Sequence, residues 1–167
     1  MHGIRRIPGV VYRDEAFARS CFEAKAWLDL TMGDALRRTA ARVPDRVAFA
    51  SETRSLTFSA LDELSERLGA ALIVVGIAPG ERAIFQMGTV LETVIAMLGC
   101  FKAGIIPVCT IPQYREIEIG QLTELSGASG YFVQADFSQF DLVGFARSMQ
   151  ASHPQLKHLR SEEHTSE

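Results

Sequence analysis

From Arg82 onward the chain alternates between short apolar runs of strand length and longer runs with helical spacing, and this constrains the fold more than any other feature. Arg82 to Met87 reads as a strand. Gly88-Thr89 turns it into a helix from about Val90 to Ala103, apolar nearly all round apart from Glu92 and Lys102. Gly104 ends that helix, Ile105 to Thr110 is an apolar strand, and Pro112 to Arg115 leads into a helix bearing Ile117, Ile119, Leu122 and Leu125. Tyr131 to Gln134 is the next strand, Phe137 to Ser152 the next helix, and Leu156 opens another strand after His153-Pro154. Strands and helices alternating at these lengths imply an α/β fold, with successive βα units forming a mainly parallel sheet flanked by helices.

Upstream of this repeat, Thr31 caps a helix with apolar positions at Met32, Ala35, Leu36, Ala40 and Val43, Asp34 in its first turn and Pro44 just past its end. Val47 to Ala50 and Ser55 to Phe58 are β-prone runs separated by four polar residues, the pattern of a hairpin. Ser59 then caps a helix with a stripe at Leu61, Leu64, Leu68, Leu72 and Val75, stopped by Gly76 and Pro79-Gly80. No linker or fixed-period repeat divides the chain, so it reads as one domain.

With 167 residues, 47% of them apolar, a core can form without disulfides or metal. Cys21, Cys100 and Cys109 are an odd count with no CxxC pair, and the last two sit in apolar runs, which fits a reducing cytoplasm. A net charge of −3 supplies no field for gathering nucleic acid or anionic lipid. Val90 to Ile111 is apolar enough to suggest a membrane span, but Glu92, Lys102, Gly99, Gly104 and Pro107 interrupt it, so a buried helix followed by a buried strand is expected.

The residue types that carry chemistry are sparse. Neither GxGxxG nor GxxxxGK[ST] occurs, and Gly88-Thr89 is read as a small-residue turn before it is read as a phosphate contact. Ser126 to Gly130 has the composition of a phosphate loop but follows a helix and precedes a strand, the place of a helix C-cap. His2, His153, His158 and His164 lack metal-ligand spacing, so no metal site is expected. Asp62, Glu63 and Glu66 lie opposite a leucine stripe and read as a solvated face, as do Arg37, Arg38 and Arg42. No serine lies in a GxSxG setting. One cluster stands apart. Pro112 to Glu118 places Tyr114 and Arg115 between the end of a parallel strand and the next helix, the edge where open α/β sheets bind ligands. Arg115 there reads either as a contact for an anionic ligand or as a partner of Glu116 or Glu118, or as packing over Tyr114.

Leu56-Thr57-Phe58 with Leu61 and Leu64, Gly76 to Ala83, Phe101-Lys-Ala-Gly104 with Ile106-Pro107-Val108, and Pro112-x-x-Arg115-x-x-Glu118-Ile119 together resemble the N-terminal part of adenylate-forming acyl ligases. The Trp27 region leading into Thr31 to Leu36, with the Pro-x-x-Arg-x-x-Glu-Ile segment, is most similar to aryl-acid adenylating enzymes of the dihydroxybenzoate type and their acyl-CoA ligase relatives. Gly88-Thr89 and Tyr114 depart from the family's usual residues at those places. The resemblance implies an incomplete N-terminal lobe of a larger ligase domain. The parent would use ATP and Mg²⁺ to turn a small-molecule carboxylic acid into an acyl-adenylate. It would then pass the acyl group to CoA or to the phosphopantetheine of an acyl or aryl carrier protein. It also implies that no catalytic residue lies in this part, so the part alone is expected to be inactive. Lys25, Lys102 and Lys157 match no lysine motif of the family, and Arg115 falls where some relatives bring a basic residue toward the CoA phosphate.

The domain is accordingly expected to occupy residues 1–159. Arg160 to Glu167 carries no apolar side chain, resembles the translation of a sequencing-adapter oligonucleotide, and is expected to be a non-native tail. The competing expectation is a complete small doubly wound α/β domain that binds or interacts without catalysis.

Overall fold

The computed structural model describes residues 11–137 and 139–162, in two compact units that divide after Thr31. The first unit contains a helix that the pattern of apolar residues did not announce, α1 (Glu15–Glu23), because none of its residues is buried. What starts it is local. Asp14 accepts the Phe17 N–H at 2.8 Å, and Trp27 folds back with its ring edge-on to Phe17 and Phe22.

The second unit opens with α2 (Met32–Arg42), followed by the expected hairpin of β1 (Val47–Ala50) and β2 (Ser55–Thr57), antiparallel with a register shift between Val47 and Phe49. Helix α3 (Phe58–Val74) is capped by Thr57 rather than Ser59, since the Thr57 hydroxyl accepts the Ala60 N–H at 3.2 Å. The reason is the chain path. The Phe58 and Ser59 N–H groups are tied to the carbonyls of Arg46 and Pro44, which leaves Thr57 as the last extended residue.

The sheet consists of β3 (Arg82–Gln86), β4 (Ile106–Cys109), β5 (Gly130–Gln134) and β6 (His158–Glu162), all parallel in the order β4-β3-β5-β6. The connecting helices are α4 (Leu91–Ala103), α5 (Glu116–Ser126) and α6 (Leu142–Ser152). Alternate residues of the strands serve opposite faces. Ala83, Phe85 and Phe132 pack with Leu72 of α3 and with Ala96 and Cys100 of α4. Ile84, Tyr131 and Val133 pack with Ile119 of α5 and with Leu142, Ala146 and Met149 of α6. Covered on both faces, β3 and β5 are buried along nearly their whole length, which is why they read as continuous apolar runs.

Two elements start elsewhere than expected. Helix α6 begins at Leu142, not Phe137, because the Asp141 carboxylate accepts the Gly144 N–H at 2.7 Å and sets the cap there. Strand β6 begins two residues beyond Leu156, which is buried in the turn before it. The strand pairs Arg160, Ser161 and Glu162 with Phe132, Val133 and Gln134. Such a ladder uses backbone groups that every residue carries. His164 and the rest of 163–167, like His2, lie outside the described residues.

Helices α3 and α4 cross closely. A Cβ on Gly69 would stand 2.8 Å from the Gly99 carbonyl oxygen, and one on Gly99 3.1 Å from that of Ser65. At the same junction the acidic group is more than a solvated face. Lys102 Nζ donates to Asp62 O at 2.7 Å and Asp62 Oδ1 at 2.6 Å, and lies 3.1 Å from Glu66 Oε2, with its side chain only 2% exposed. Arg37 extends this set to Glu66 and Asp34. Lys102 holds the Glu66 carboxyl below the usual carboxylate range, with Arg37 assisting. Gly33 of α2 lies against the lysine stem, where a Cβ would come within 2.9 Å of Cγ.

Candidate functional site

Strand β3 neighbours β4 on one side and β5 on the other, and the helices that follow β3 and β5 lie on opposite faces. That makes the carboxyl ends of β3 and β5 a topological switch point, where open α/β sheets leave a crevice. Here side chains of the chain itself fill it. The Gly88 N–H donates to Gln134 Oε1 at 2.9 Å, and a Cβ on Gly88 would meet both that oxygen and the Phe137 ring at 2.9 Å. Gln134 Nε2 in turn donates to Asp136. Thr93, one turn into α4, donates its hydroxyl to the Gly88 carbonyl at 2.7 Å. Gly88-Thr89 is thus a tight turn in which the Gly88 N–H is already engaged.

Beside the crevice, a polar network runs from the core to the surface. Tyr131 is buried in the α5/α6 face of the sheet and donates its hydroxyl to Gln86 Oε1. Burial pushes the Tyr131 phenol well above its ordinary value of 10.0, and the positive charge of Arg115 offsets this in part. Gln86, also buried, donates Nε2 to the carbonyls of Pro112 at 3.1 Å and Tyr114 at 2.8 Å. Thr110 helps hold the same loop, since its N–H and hydroxyl both donate to the Phe85 carbonyl.

Arg115 closes the network. Its Nη1 donates to the same two carbonyls, Pro112 at 2.9 Å and Tyr114 at 2.7 Å, and its guanidinium carbon lies 3.8 Å from the centre of the Phe140 ring. That is cation–π distance, and Phe140 is itself braced edge-on by Phe145. The partners expected for Arg115 are different ones. Glu118 accepts the Arg115 backbone N–H at 3.0 Å as a cap of α5, and that bond holds its carboxyl below the usual range. Tyr114 contributes its carbonyl and not its ring. Half-buried Arg115 has its Nε–H and Nη2 hydrogens without a hydrogen-bond partner among the described residues. These are one edge of a planar fork, the geometry that grips phosphate or carboxylate oxygens in pairs.

The other candidates separate from this site. Gly127 takes the left-handed conformation at φ 62° and ends α5, so Ser126 to Gly130 is the C-cap that its position implied. Cys100 is buried, which pushes its thiol up to about 12, while Cys109 is exposed, contrary to expectation, because it ends edge strand β4. Among the described residues no three His, Cys, Asp or Glu side chains converge on a metal position, and no helix is long and apolar enough to cross a membrane. A shallow groove of about 380 Å³ between α3 and α4 is lined by Leu64, Arg67, Leu68, Glu92 and Ile95, none of which belongs to the network. The sequence singles out Arg115 but not the Gln86 and Tyr131 that the structure joins to it. Their one signal is a pair of polar groups inside strands that are otherwise apolar.

The chain's relatives agree with this architecture. Over 147 residues it is 34% identical to a salicyl-AMP ligase / salicyl-S-ArCP synthetase of Mycobacterium tuberculosis, covering 85% of this chain and 26% of the relative. It is 31% identical over 133 residues to a 2,3-dihydroxybenzoate-AMP ligase of Bacillus subtilis, covering 80% and 25%. The chain therefore spans about a quarter of the length of the curated relatives it matches. Its fold superposes on the apo structure of MbtA from Mycobacterium smegmatis with a TM-score of 0.82 and 29% identity, over 92% of this chain and 28% of that one. With the model of the AMP-binding enzyme family matching residues 36–166, on a parallel α/β lobe shared with these adenylating relatives, the chain belongs to the AMP-binding enzyme family.

Proposed function

We propose that residues 1–159 are the N-terminal part of an acid–thiol ligase, and that Arg115 is the residue in it that contacts the phosphate of the thiol acceptor. In the parent reaction a carboxylate oxygen attacks the α-phosphorus of ATP and pyrophosphate leaves. A thiolate of CoA or carrier-bound phosphopantetheine then attacks the acyl carbon, and AMP leaves. The names of the relatives support an aryl acid as the substrate and a carrier protein as a partner. Free thiols fit a cytoplasmic location. Residues 160–167 are, in this reading, foreign to the ligase.

The observation that carries the Arg115 assignment is its half-engaged guanidinium at the carboxyl edge of the sheet. Nη1 is fixed by two carbonyls, while the Nε/Nη2 edge is open to an anion. The described residues do not fit a triphosphate or its magnesium. The Gly88 N–H is occupied by Gln134, Lys102 is held by Asp62 and Glu66, and among the described residues no three His, Cys, Asp or Glu side chains converge on a metal position. No catalytic residue is assigned here, because stabilising charge at the α-phosphate requires positioned cations and donors.

The test is pyrophosphate–ATP exchange across a panel of aryl and aliphatic acids. It compares this chain alone with the full reading frame recovered from an independent clone. Exchange by the full frame with an aryl acid, and none by the chain alone, is expected. Turnover by the chain alone, or silence of the full frame with every acid, overturns the reading. In the full enzyme, Arg115→Ala should raise the acceptor KM about tenfold, the effect of one charge-assisted phosphate contact, and leave exchange unchanged.

A further inference from the structure

The carbonyls of Pro112 and Tyr114 are each approached twice, by Gln86 Nε2 from strand β3 and by Arg115 Nη1 from their own loop. A carbonyl oxygen has two lone pairs, so both bonds form at once, and the loop is clamped between a buried amide and the guanidinium. The Gln86 amide holds in one orientation. Turned over, its oxygen would face two carbonyl oxygens, and the Tyr131 hydroxyl would lose the acceptor it now has. Tyr131 thereby fixes the far end of the amide from inside the core. Phe140, below the guanidinium, supplies a surface but no directional bond.

We propose that Tyr131 and Gln86 are positioning residues for Arg115. They hold the Pro112 and Tyr114 carbonyls where these fix Nη1, so that the Nε/Nη2 edge is presented in one orientation to an acceptor phosphate. The acceptor part of this inference rests on the reading of Arg115 given above, while the positioning part stands on the network itself. Removing the Tyr131 hydroxyl leaves the Gln86 oxygen unpaired in the core, loosens the amide, and with it the loop that carries Arg115.

The experiment uses this chain with adenosine 3′,5′-bisphosphate as the phosphate probe. Binding is titrated for wild type, Tyr131→Phe, Arg115→Ala and the double variant, and exchange of the Arg115 side-chain N–H groups with water is followed by NMR. Tyr131→Phe should accelerate that exchange and weaken the probe about fivefold, the factor that one net hydrogen bond represents. In the Arg115→Ala background it should weaken the probe no further, an outcome that a merely structural role for Tyr131 does not produce. Gln86→Met, close in shape and lacking the amide, should behave like Tyr131→Phe and serves if that variant does not fold. Unchanged Arg115 exchange in a folded variant, or equal weakening in both backgrounds, overturns the proposal. Faster exchange in a chain whose wild type does not bind the probe upholds positioning and rejects the acceptor reading.

Discussion

Lys102 and Arg115 are two cations that this fold holds in place, and they are held in opposite ways. Lys102 donates two hydrogen bonds to Asp62 and pairs with Glu66 at the junction of α2, α3 and α4, with Gly33 against its stem and its side chain only 2% exposed. Arg115 commits one nitrogen to two carbonyls, rests on an aromatic ring, and leaves the other edge of its fork without a partner among the described residues. A buried cation enclosed by oxygens of its own chain ties helices together. One matched by half keeps donors available, as the anion contact proposed for Arg115 requires. The difference lies in the number of acceptors brought to each group, not in its charge.

The largest break in this comparison comes from the lysine. Lys102→Met should lower the free energy of unfolding by about 2 kcal/mol in urea denaturation, because it removes the charged hydrogen bonds to Asp62, while the more exposed Glu66 keeps Arg37. Arg115→Ala should cost less than about 1 kcal/mol in the same measurement, since the Pro112 and Tyr114 carbonyls keep their bonds to Gln86 when the two Nη1 bonds and the ring contact are lost. Equal costs at the two positions would erase the distinction between a structural cation and an available one.

The smallest effect is a pH dependence. The Glu66 pKa is lowered below 4.5 in the folded chain, so its contribution to stability is present above 4.5 and lost as the pH falls through the folded value. Unfolding midpoints measured from pH 6 to pH 3 should therefore show a slightly steeper acid limb in wild type than in Glu66→Gln. In Lys102→Met, where the first cause of the shift is gone, Glu66→Gln should change that limb little.

The architecture was legible from the chain because two periods were enforced by burial. Strands β3 and β5 are covered on both faces and admit almost only apolar side chains, and α4 is packed deeply enough to be apolar around most of its circumference. Where burial does not act, the pattern is silent. Helix α1 buries none of its residues and left no apolar stripe to read. The start of α6 was misread for a related reason, since Phe137 looks like the first residue of an amphipathic face and instead covers Gly88. Among the charged groups, Asp62 and Glu66 were read as solvated because spacing along one helix says nothing about a lysine forty residues away in α4. The position of Arg115, after a parallel strand and before a helix, is legible in the chain because it is a property of the order of elements.

Order of elements, strand direction, helix stops at Gly104 and Gly127 and kinship with the AMP-binding enzymes were all determined by the chain as written, since each follows from local periodicity, a left-handed residue or collinear motifs. Tertiary structure decided what each polar group became. It placed Tyr131 under Gln86, Gln86 under the Pro112 and Tyr114 carbonyls, and Lys102 between two carboxylates. Hydrogen bonds and ion pairs are satisfied by whichever groups the packed elements bring within about 3 Å, and that distance is set by how helices and strands meet in space, which no spacing along one element encodes.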